Sequence, residues 1–426
     1  MLVVQKFGGT SVGDLDRIRR VARRCLERRR AGDDVVVVVS AMAGETDRLI
    51  ALSNRLLGGD DRSGKGWVAH DKAGDPEHER ELSQLIATGE KVSAALVAMA
   101  VQDLGGSAVS LAGHQIGLRT ERRFTNARIV EVAEGPIRAA LDQGKVVVCA
   151  GFQGLDPEGN ITTLGRGGSD TSAVALAAAV RADVCEILTD VDGVYTTDPR
   201  IVPDARKLDR IAYEEMIELA SLGSKVLQIR SVGFAMKYGV PLHVRSSLNE
   251  SEGTWIVEEN ENMEQVLVRG VALDRNEAKV TLTNCPDVPG TASEAFVRLG
   301  EAGVVIDMVI QNASRAGATD LTFTVGKADL EKARSVLGQL SFVQSRDEVE
   351  IVADPAICKI SVVGVGMRSH AGVAARVFEA LATEQVNVQM VSTSEIKISV
   401  VVHERYGELA LRALHDAFEL GEGPRG

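Results

Sequence analysis

Residues 162–172 read Thr-Thr-Leu-Gly-Arg-Gly-Gly-Ser-Asp-Thr-Ser and run directly into the apolar stretch 173–180. Gly165, Gly167 and Gly168 bracket Arg166, hydroxyl residues flank Asp170, and the alanine-rich run predicts a helix at once. Backbone N–H groups and the positive end of that helix therefore converge on one point, which is the composition of an anion site. A glycine-rich bend with no ligand carries the same local signature, so the surrounding chain has to decide.

Working outward, the spacing predicts strands over 145–150 and 184–188 on either side of this loop, and a helix over 129–143 before it. At the start of the chain a strand over 2–7 carries Lys6, and Gly8-Gly9-Thr10-Ser11 turns it toward a helix over 14–30. Ile18, Val21, Ala22, Cys25 and Leu26 form the apolar stripe of that helix, with arginines on its solvated face. Residues 35–39 are a continuous valine run, the mark of a strand buried on both faces. Small residues at 40–44 then let a ligand approach the backbone, and Thr46 and Asp47 stand at the start of the next helix, where capping alone also accounts for them.

Residues 59–66 nearly match a nucleotide-binding P-loop, but Gly66 stands where Ser or Thr is required and no strand precedes it, so that reading is rejected. A helix over 81–101 follows. It places Glu90 among small and apolar neighbours, where a carboxylate needs a partner or a ligand; spacing alone predicts an ordinary ion pair. Strands over 107–111 and 240–245 complete the rhythm, and an acid- and threonine-rich loop occupies 189–200. Strands alternating with helices predict an α/β domain with a mostly parallel sheet, whose ligands gather outside the carboxyl ends of the strands.

At 426 residues the chain predicts two or three domains, and 45% hydrophobic with 25% charged residues is a globular composition. A net charge of −12 speaks against nucleic acid or an anionic membrane as the main partner. No stretch reads as a membrane span and the first residues lack the order of a signal peptide, so the expectation is a cytoplasmic protein. Cys25, Cys149, Cys185, Cys285 and Cys358 are widely spaced among apolar residues and read as reduced core thiols, with no zinc site.

A composition change around 249–261 marks the expected end of the first domain at 249, with a linker over 250–264. Beyond it lies an internal repeat: Gly290, Phe296, Leu299, Met308 and Val309 align without a gap on Gly372, Phe378, Leu381, Met390 and Val391. Each copy reads as a ferredoxin-like βαββαβ module, the first expected over 265–345 and the second over 346–426. The second has no room for its last strand, and a surplus strand over 265–272 is expected to complete it, so that the two modules are nested.

With 6–11 reading Lys-Phe-Gly-Gly-Thr-Ser, the Gly-Arg-Gly-Gly-Ser-Asp run at 165–170, the loop at 189–200 and the doubled C-terminal module in this order, the chain resembles the aspartate kinases of the amino-acid kinase superfamily. The resemblance covers essentially the whole chain. It implies a three-layer αβα kinase fold with a mostly parallel sheet followed by two ACT domains, in a monofunctional form without a trailing dehydrogenase. It implies transfer of the ATP γ-phosphoryl group to the side-chain carboxylate of L-aspartate, giving 4-phospho-L-aspartate, the first step of lysine, threonine and methionine biosynthesis. Lys6 and Asp170 are the implied catalytic pair. Thr46, Glu90, Arg166, Gly167, Gly168 and Ser169 are implied at the substrate, with Arg166 clamping its α-carboxylate and Glu90 its ammonium group. Lys6, Phe7, Gly8, Gly9, Ser40, Ser169, Thr189, Asp190, Tyr195, Arg200 and Lys225 are implied around the nucleotide, with Mg²⁺ carried largely by phosphates and water.

The ACT pair implies feedback by lysine, threonine or both, and a homo-oligomer formed through these modules. Asp307, Gln311 and Asn312 in the first copy, and Ser392, Thr393, Ser394 and Glu395 in the second, match effector positions, although polar residues also terminate strands. Ala374 departs from the pattern where regulatory relatives carry a hydroxyl. The competing readings are a kinase for another carboxylate such as acetylglutamate, which would not explain the doubled module, and a non-catalytic amino-acid sensor, which would not need Lys6, Arg166 and Asp170.

Overall fold

The computed structural model describes residues 1–58, 75–222, 226–259, 266–312 and 317–421. The chain forms two compact units: Met1–Val194 with Lys207–Ala220 and Lys225–Asn260, and Tyr195–Arg206 with Ser221–Ser224 and Glu261–Gly426. The P-loop-like run at 59–66, Lys225 and residues 260–265 of the expected linker and surplus strand lie outside the described residues.

The first unit runs β1 (Leu2–Phe7), α1 (Leu15–Arg30), β2 (Asp34–Val39), α2 (Glu45–Leu56), α3 (Pro76–Ile86), α4 (Thr88–Asp103), β3 (Ala108–Leu111) and α5 (Gly113–Ile116). It continues through β4 (Leu118–Thr120), β5 (Ile129–Val132), α6 (Gly135–Leu141), β6 (Val146–Ala150), β7 (Gln153–Leu155), β8 (Ile161–Thr163), α7 (Gly168–Ala179) and β9 (Val184–Thr189). Then come β10 (Arg210–Ala212), α8 (Tyr213–Ser221), α9 (Ile229–Tyr238), β11 (Leu242–Ser246) and β12 (Thr254–Val257).

The main sheet has the order β10-β12-β11-β9-β1-β2-β6-β3. Its pairings are parallel except β11 with β12. Val35 to Val39 of β2 are all 0% exposed, as a central parallel strand covered on both faces requires. α1 starts where the Asp14 side chain accepts the Arg17 N–H, and buries the apolar stripe read from the sequence. A small sheet, β5-β4-β7-β8, supports the segment that leads into α7.

Two expectations change. The helix expected over 129–143 is a strand, β5, paired antiparallel with β4, followed by α6, which begins only at the Gly135-Pro136 step. Proline suits the first turn of a helix because no N–H is needed there, so it starts the helix late. The helix expected over 81–101 is two, α3 and α4, separated at Ala87, where the Thr88 hydroxyl turns back to donate to the Leu85 carbonyl at 2.6 Å. Together they span Pro76–Asp103 and are long and apolar enough to cross a membrane, contrary to the sequence expectation, but half of that window is buried inside the protein.

The second unit runs β13 (Gly270–Asp274), β14 (Glu277–Pro286), α10 (Thr291–Glu301), β15 (Ile306–Gln311), β16 (Ala318–Gly326), α11 (Leu330–Leu337), α12 (Ser341–Gln344), β17 (Glu350–Asp354), β18 (Ile357–Val363), α13 (Val373–Thr383), β19 (Met390–Thr393), β20 (Lys397–His403) and α14 (Gly407–Ala417). Its sheets are β15-β16-β14-β17 and β13-β18-β20-β19. β13 pairs antiparallel with β18, in the sheet of the second module. β17 pairs with β14 in the first, so the division placed after 345 is corrected to follow 354: Val280 and Leu282 on β14 need a neighbour on that side to close their core. Residues 195–206 belong to this unit. Val202 sits in the core of the second module, the Thr196 carbonyl accepts the Val271 N–H at 2.8 Å, and the Thr196 hydroxyl bonds the His415 ring at 3.0 Å.

Candidate active site

Alternation along β1 puts Gln5 on one face of the sheet and Lys6 on the other. Lys6 Nζ lies 2.6 Å from Asp170 Oδ1, with both side chains 11% exposed. Asp170 occupies the first turn of α7, where the dipole of the helix favours a carboxylate. The loop before that helix needs its glycines. Gly165 and Gly167 have φ of 82° and 66°, and a Cβ would come within 1.8 Å of Asn126 Oδ1 at the first and 1.7 Å of Gln228 Cγ at the second. Arg166, held between them, is exposed and makes no ion pair among the described residues. Arg230 anchors the loop from behind, donating to the carbonyls of Leu164 at 2.6 Å and Ala127 at 2.9 Å. Ser169 is buried against Gly151, and Ser172 Oγ accepts the Phe152 N–H at 3.0 Å.

The turn after β1 stands beside this ion pair: a Cβ on Gly8 would lie 3.6 Å from Lys6 Nζ. Of the two glycines implied around the nucleotide in this turn, Gly8 has its amide already committed, donating to the Leu188 carbonyl at 3.2 Å. The pairing of β1 with β9 continues one residue further than the sequence indicates. Phe7 is core, 1% exposed. Ser40 follows β2 and donates its N–H to the Phe7 carbonyl at 3.1 Å; Thr189 closes β9, its hydroxyl 3.1 Å from the exposed Asp190 carboxylate. These groups share the carboxyl ends of the adjacent strands β1, β2 and β9, where ligands of such sheets bind. Tyr195 and Arg200 fall in the second unit, with the Arg200 guanidinium 2.7 Å from Asp198.

Glu90 lies in the first turn of α4 and is 3% exposed. Its Oε1 accepts the Ala41 N–H at 3.1 Å, while its buried Oε2 has no hydrogen-bond partner among the described residues. The ordinary ion pair expected from spacing is absent among the described residues. Burial pushes the carboxyl up to about 7, against a smaller opposing effect of the Ala41 hydrogen bond. A buried carboxylate oxygen left without a donor is costly unless a ligand supplies one. Thr46 is half-buried in the first turn of α2. Ala41, whose amide orients Glu90, was not singled out from the sequence; the run of small residues at 40–44 was the available signal.

In the second unit, Asp307 on β15 is an ion-pair partner of Lys359 from β18, which also lies 3.2 Å from Glu277. Gln311 ends β15 and Asn312 follows it; Ser392 and Thr393 end β19, and Ser394 and Glu395 turn the chain into β20. All six are exposed. Ala374 is exposed in the first turn of α13.

All five cysteines are free and buried, and burial pushes Cys25 and Cys149 up to about 12, which leaves them inert thiols. Among the described residues, no three His, Cys, Asp or Glu side chains gather into a metal site.

The profile of the amino acid kinase family matches residues 1–246, and ACT domain profiles match 279–342 and 360–418. The chain is 54% identical to an aspartokinase of Pseudomonas aeruginosa over 98% of both chains. It is 48% identical to the aspartokinase of Corynebacterium glutamicum, over 99% of this chain and 96% of that one. Among solved structures it is similar to Escherichia coli aspartokinase III in complex with aspartate and ADP, at 27% identity and a TM-score of 0.77, covering 98% of this chain and 99% of the other. The complex of that enzyme with lysine and aspartate gives a TM-score of 0.74 at 27% identity, again over 98% and 99%.

Proposed function

Because this chain belongs to the amino acid kinase family, and within it to the aspartate kinases, we propose that the groups around residues 162–172 and Lys6 carry phosphoryl transfer from ATP to the side-chain carboxylate of L-aspartate. One carboxylate oxygen attacks the γ-phosphorus as the bond to the bridging oxygen of ADP breaks, and an acyl phosphate forms. The nucleophile is already ionised at neutral pH, so no base is needed. Catalysis rests on placing two anions in line and offsetting their charge.

Lys6 is the cation for the transferring group, oriented by Asp170. Arg166, between its two glycines, presents a planar fork for the α-carboxylate, and Gly167, Gly168 and Ser169 bring the α7 terminus to the same ligand. Thr46 adds a hydroxyl. Gly9, Ser40, Thr189 and Asp190 line the nucleotide side, and Mg²⁺ entering with ATP would neutralise phosphate charge. The observation that carries this reading is Glu90: a buried carboxylate with one oxygen fixed by Ala41 and the other unpartnered is a receptor for an ammonium group. It favours an amino acid with a free amine over an acetylated one.

We further propose that the first unit acts as the catalytic domain, its end moved from the expected 249 to beyond β12, which pairs with β11 in the main sheet, and that the paired modules bind lysine, threonine or both. Asp307, Gln311, Asn312, Ser392, Thr393, Ser394 and Glu395 are the effector contacts on this reading, in a cytoplasmic homo-oligomer. Aspartokinase III of Escherichia coli with bound lysine supports it by analogy. A hydroxamate assay with ATP, Mg²⁺ and L-aspartate is expected to give aspartyl hydroxamate. No product, or product only with acetylglutamate, would overturn the assignment.

A further inference from the structure

The ammonium-binding end and the phosphoryl-handling end of this site come from different elements, α4 and the turn after β1, and one small residue touches both. A Cβ on Gly9 would stand 2.8 Å from the Ala41 carbonyl oxygen, and a Cβ on Gly89 would stand 2.7 Å from the Ala41 methyl. Neither distance leaves room for a further atom, so the three backbones are in contact with no slack. The Ala41 N–H meanwhile donates to Glu90 Oε1 at 3.1 Å, which leaves Oε2 as the oxygen for a ligand. Gly8, next to Gly9, lies against Lys6.

We propose that Ala41 is a positioning residue that sets the reach from the Glu90 carboxylate to the Gly8-Gly9 turn, and thereby the length of amino acid whose side-chain carboxylate meets the phosphoryl group. The inference rests on the aspartate kinase reading. Gly89 allows α4 to seat on the Ala41 methyl, and Gly9 allows the turn to seat on the Ala41 carbonyl. Glu90 is held in register with Lys6 through this column of contacts. A displacement of about 1 Å in such a column is enough to cost on the order of a hundredfold in a reaction that depends on alignment.

The test is a compensating pair. Gly89→Ala is expected to raise the KM for aspartate at least about tenfold, since the new methyl must push α4 and Glu90 away, with the KM for ATP within about twofold. Adding Ala41→Gly removes the clash and keeps the amide donor, and is expected to return the aspartate KM to within about threefold of the starting protein. Ala41→Gly alone opens the column and is expected to lower the preference for aspartate over glutamate about tenfold; it keeps the test alive if Gly89→Ala fails to fold. An unchanged aspartate KM in Gly89→Ala, a double variant no better than the single, or an unchanged preference in Ala41→Gly would overturn the proposal. Such results with an active starting protein leave the kinase assignment standing, whereas a starting protein that makes no aspartyl hydroxamate removes that assignment itself.

Discussion

Glu186 and Glu90 are both buried glutamates of the first unit, 1% and 3% exposed, and their surroundings treat them oppositely. Glu186, in the middle of β9, takes the Gln5 amide at 2.7 Å on one oxygen, and Arg28 at 2.9 Å and Arg245 at 3.5 Å on the other. Burial pushes its carboxyl up, but the Gln5 hydrogen bond and the charges of Arg28, Arg245 and Arg24 outweigh it and hold the group below the ordinary range. Glu90 has one backbone donor and rises to about 7. A carboxylate that serves the fold is satisfied by the fold. One that serves a ligand is left half-satisfied, and the energetic debt falls to the ligand.

The largest test of that contrast is Glu186→Ala, which removes the buried carboxylate shared by Gln5, Arg28 and Arg245 and is expected to cost about 3–5 kcal/mol in denaturant unfolding, with the aspartate KM unchanged. Equal destabilisation by Glu90→Ala would erase the distinction. Lys6→Ala, on the ligand side, is expected to lower kcat by about 2.7–4 kcal/mol of barrier in protein that is still folded by circular dichroism. Steady-state rates within tenfold of normal would take Lys6 out of the mechanism.

Glu90→Gln keeps the shape and removes the charge. Its expected signature is an aspartate KM raised by about 1.5–3 kcal/mol, with ATP binding preserved in calorimetry.

The smallest effect is in pH. Because Glu90 must be ionised to hold an ammonium group, the aspartate KM is expected to rise about tenfold from pH 8 to pH 6, and Glu90→Gln should flatten that profile. The two glutamates also tilt stability in opposite directions. The raised Glu90 contributes stability below about 4.5 that is lost as pH climbs through about 7, whereas the lowered Glu186 contributes stability above about 4.5 that is lost on acidification. Unfolding curves of the two Gln variants across this range separate the slopes.

Much of the catalytic fold was legible because its signals are local. The valine run at 35–39 can only be a strand covered on both faces, and Gly165 and Gly167 announce a backbone that a side chain would block. The failures came where tertiary partners decide. Residues 129–132 have helical spacing yet pair with β4, and Ala87 divides a helix whose apolar pattern is unbroken. Gly8 keeps a sheet bond that no spacing reveals. At the site, composition marks the loop around Arg166 and Asp170 as an anion turn and the resemblance to aspartate kinases supplies the roles of Lys6, Asp170 and Arg166, but the unpartnered oxygen of Glu90 is a property of its surroundings alone. Nor could any period in the sequence place residues 195–206 with the C-terminal modules.

That last feature bears on the order of synthesis. The ribosome delivers Thr196 and Val202 well before β13 and α14, yet Val202 fills a core whose other walls are made last, and Thr196 waits for Val271 and His415. The second unit therefore cannot close as the nascent chain passes its own residues in sequence. It must hold an early segment in reserve until the final helix emerges, and a chain begun after residue 206 would be born without that piece.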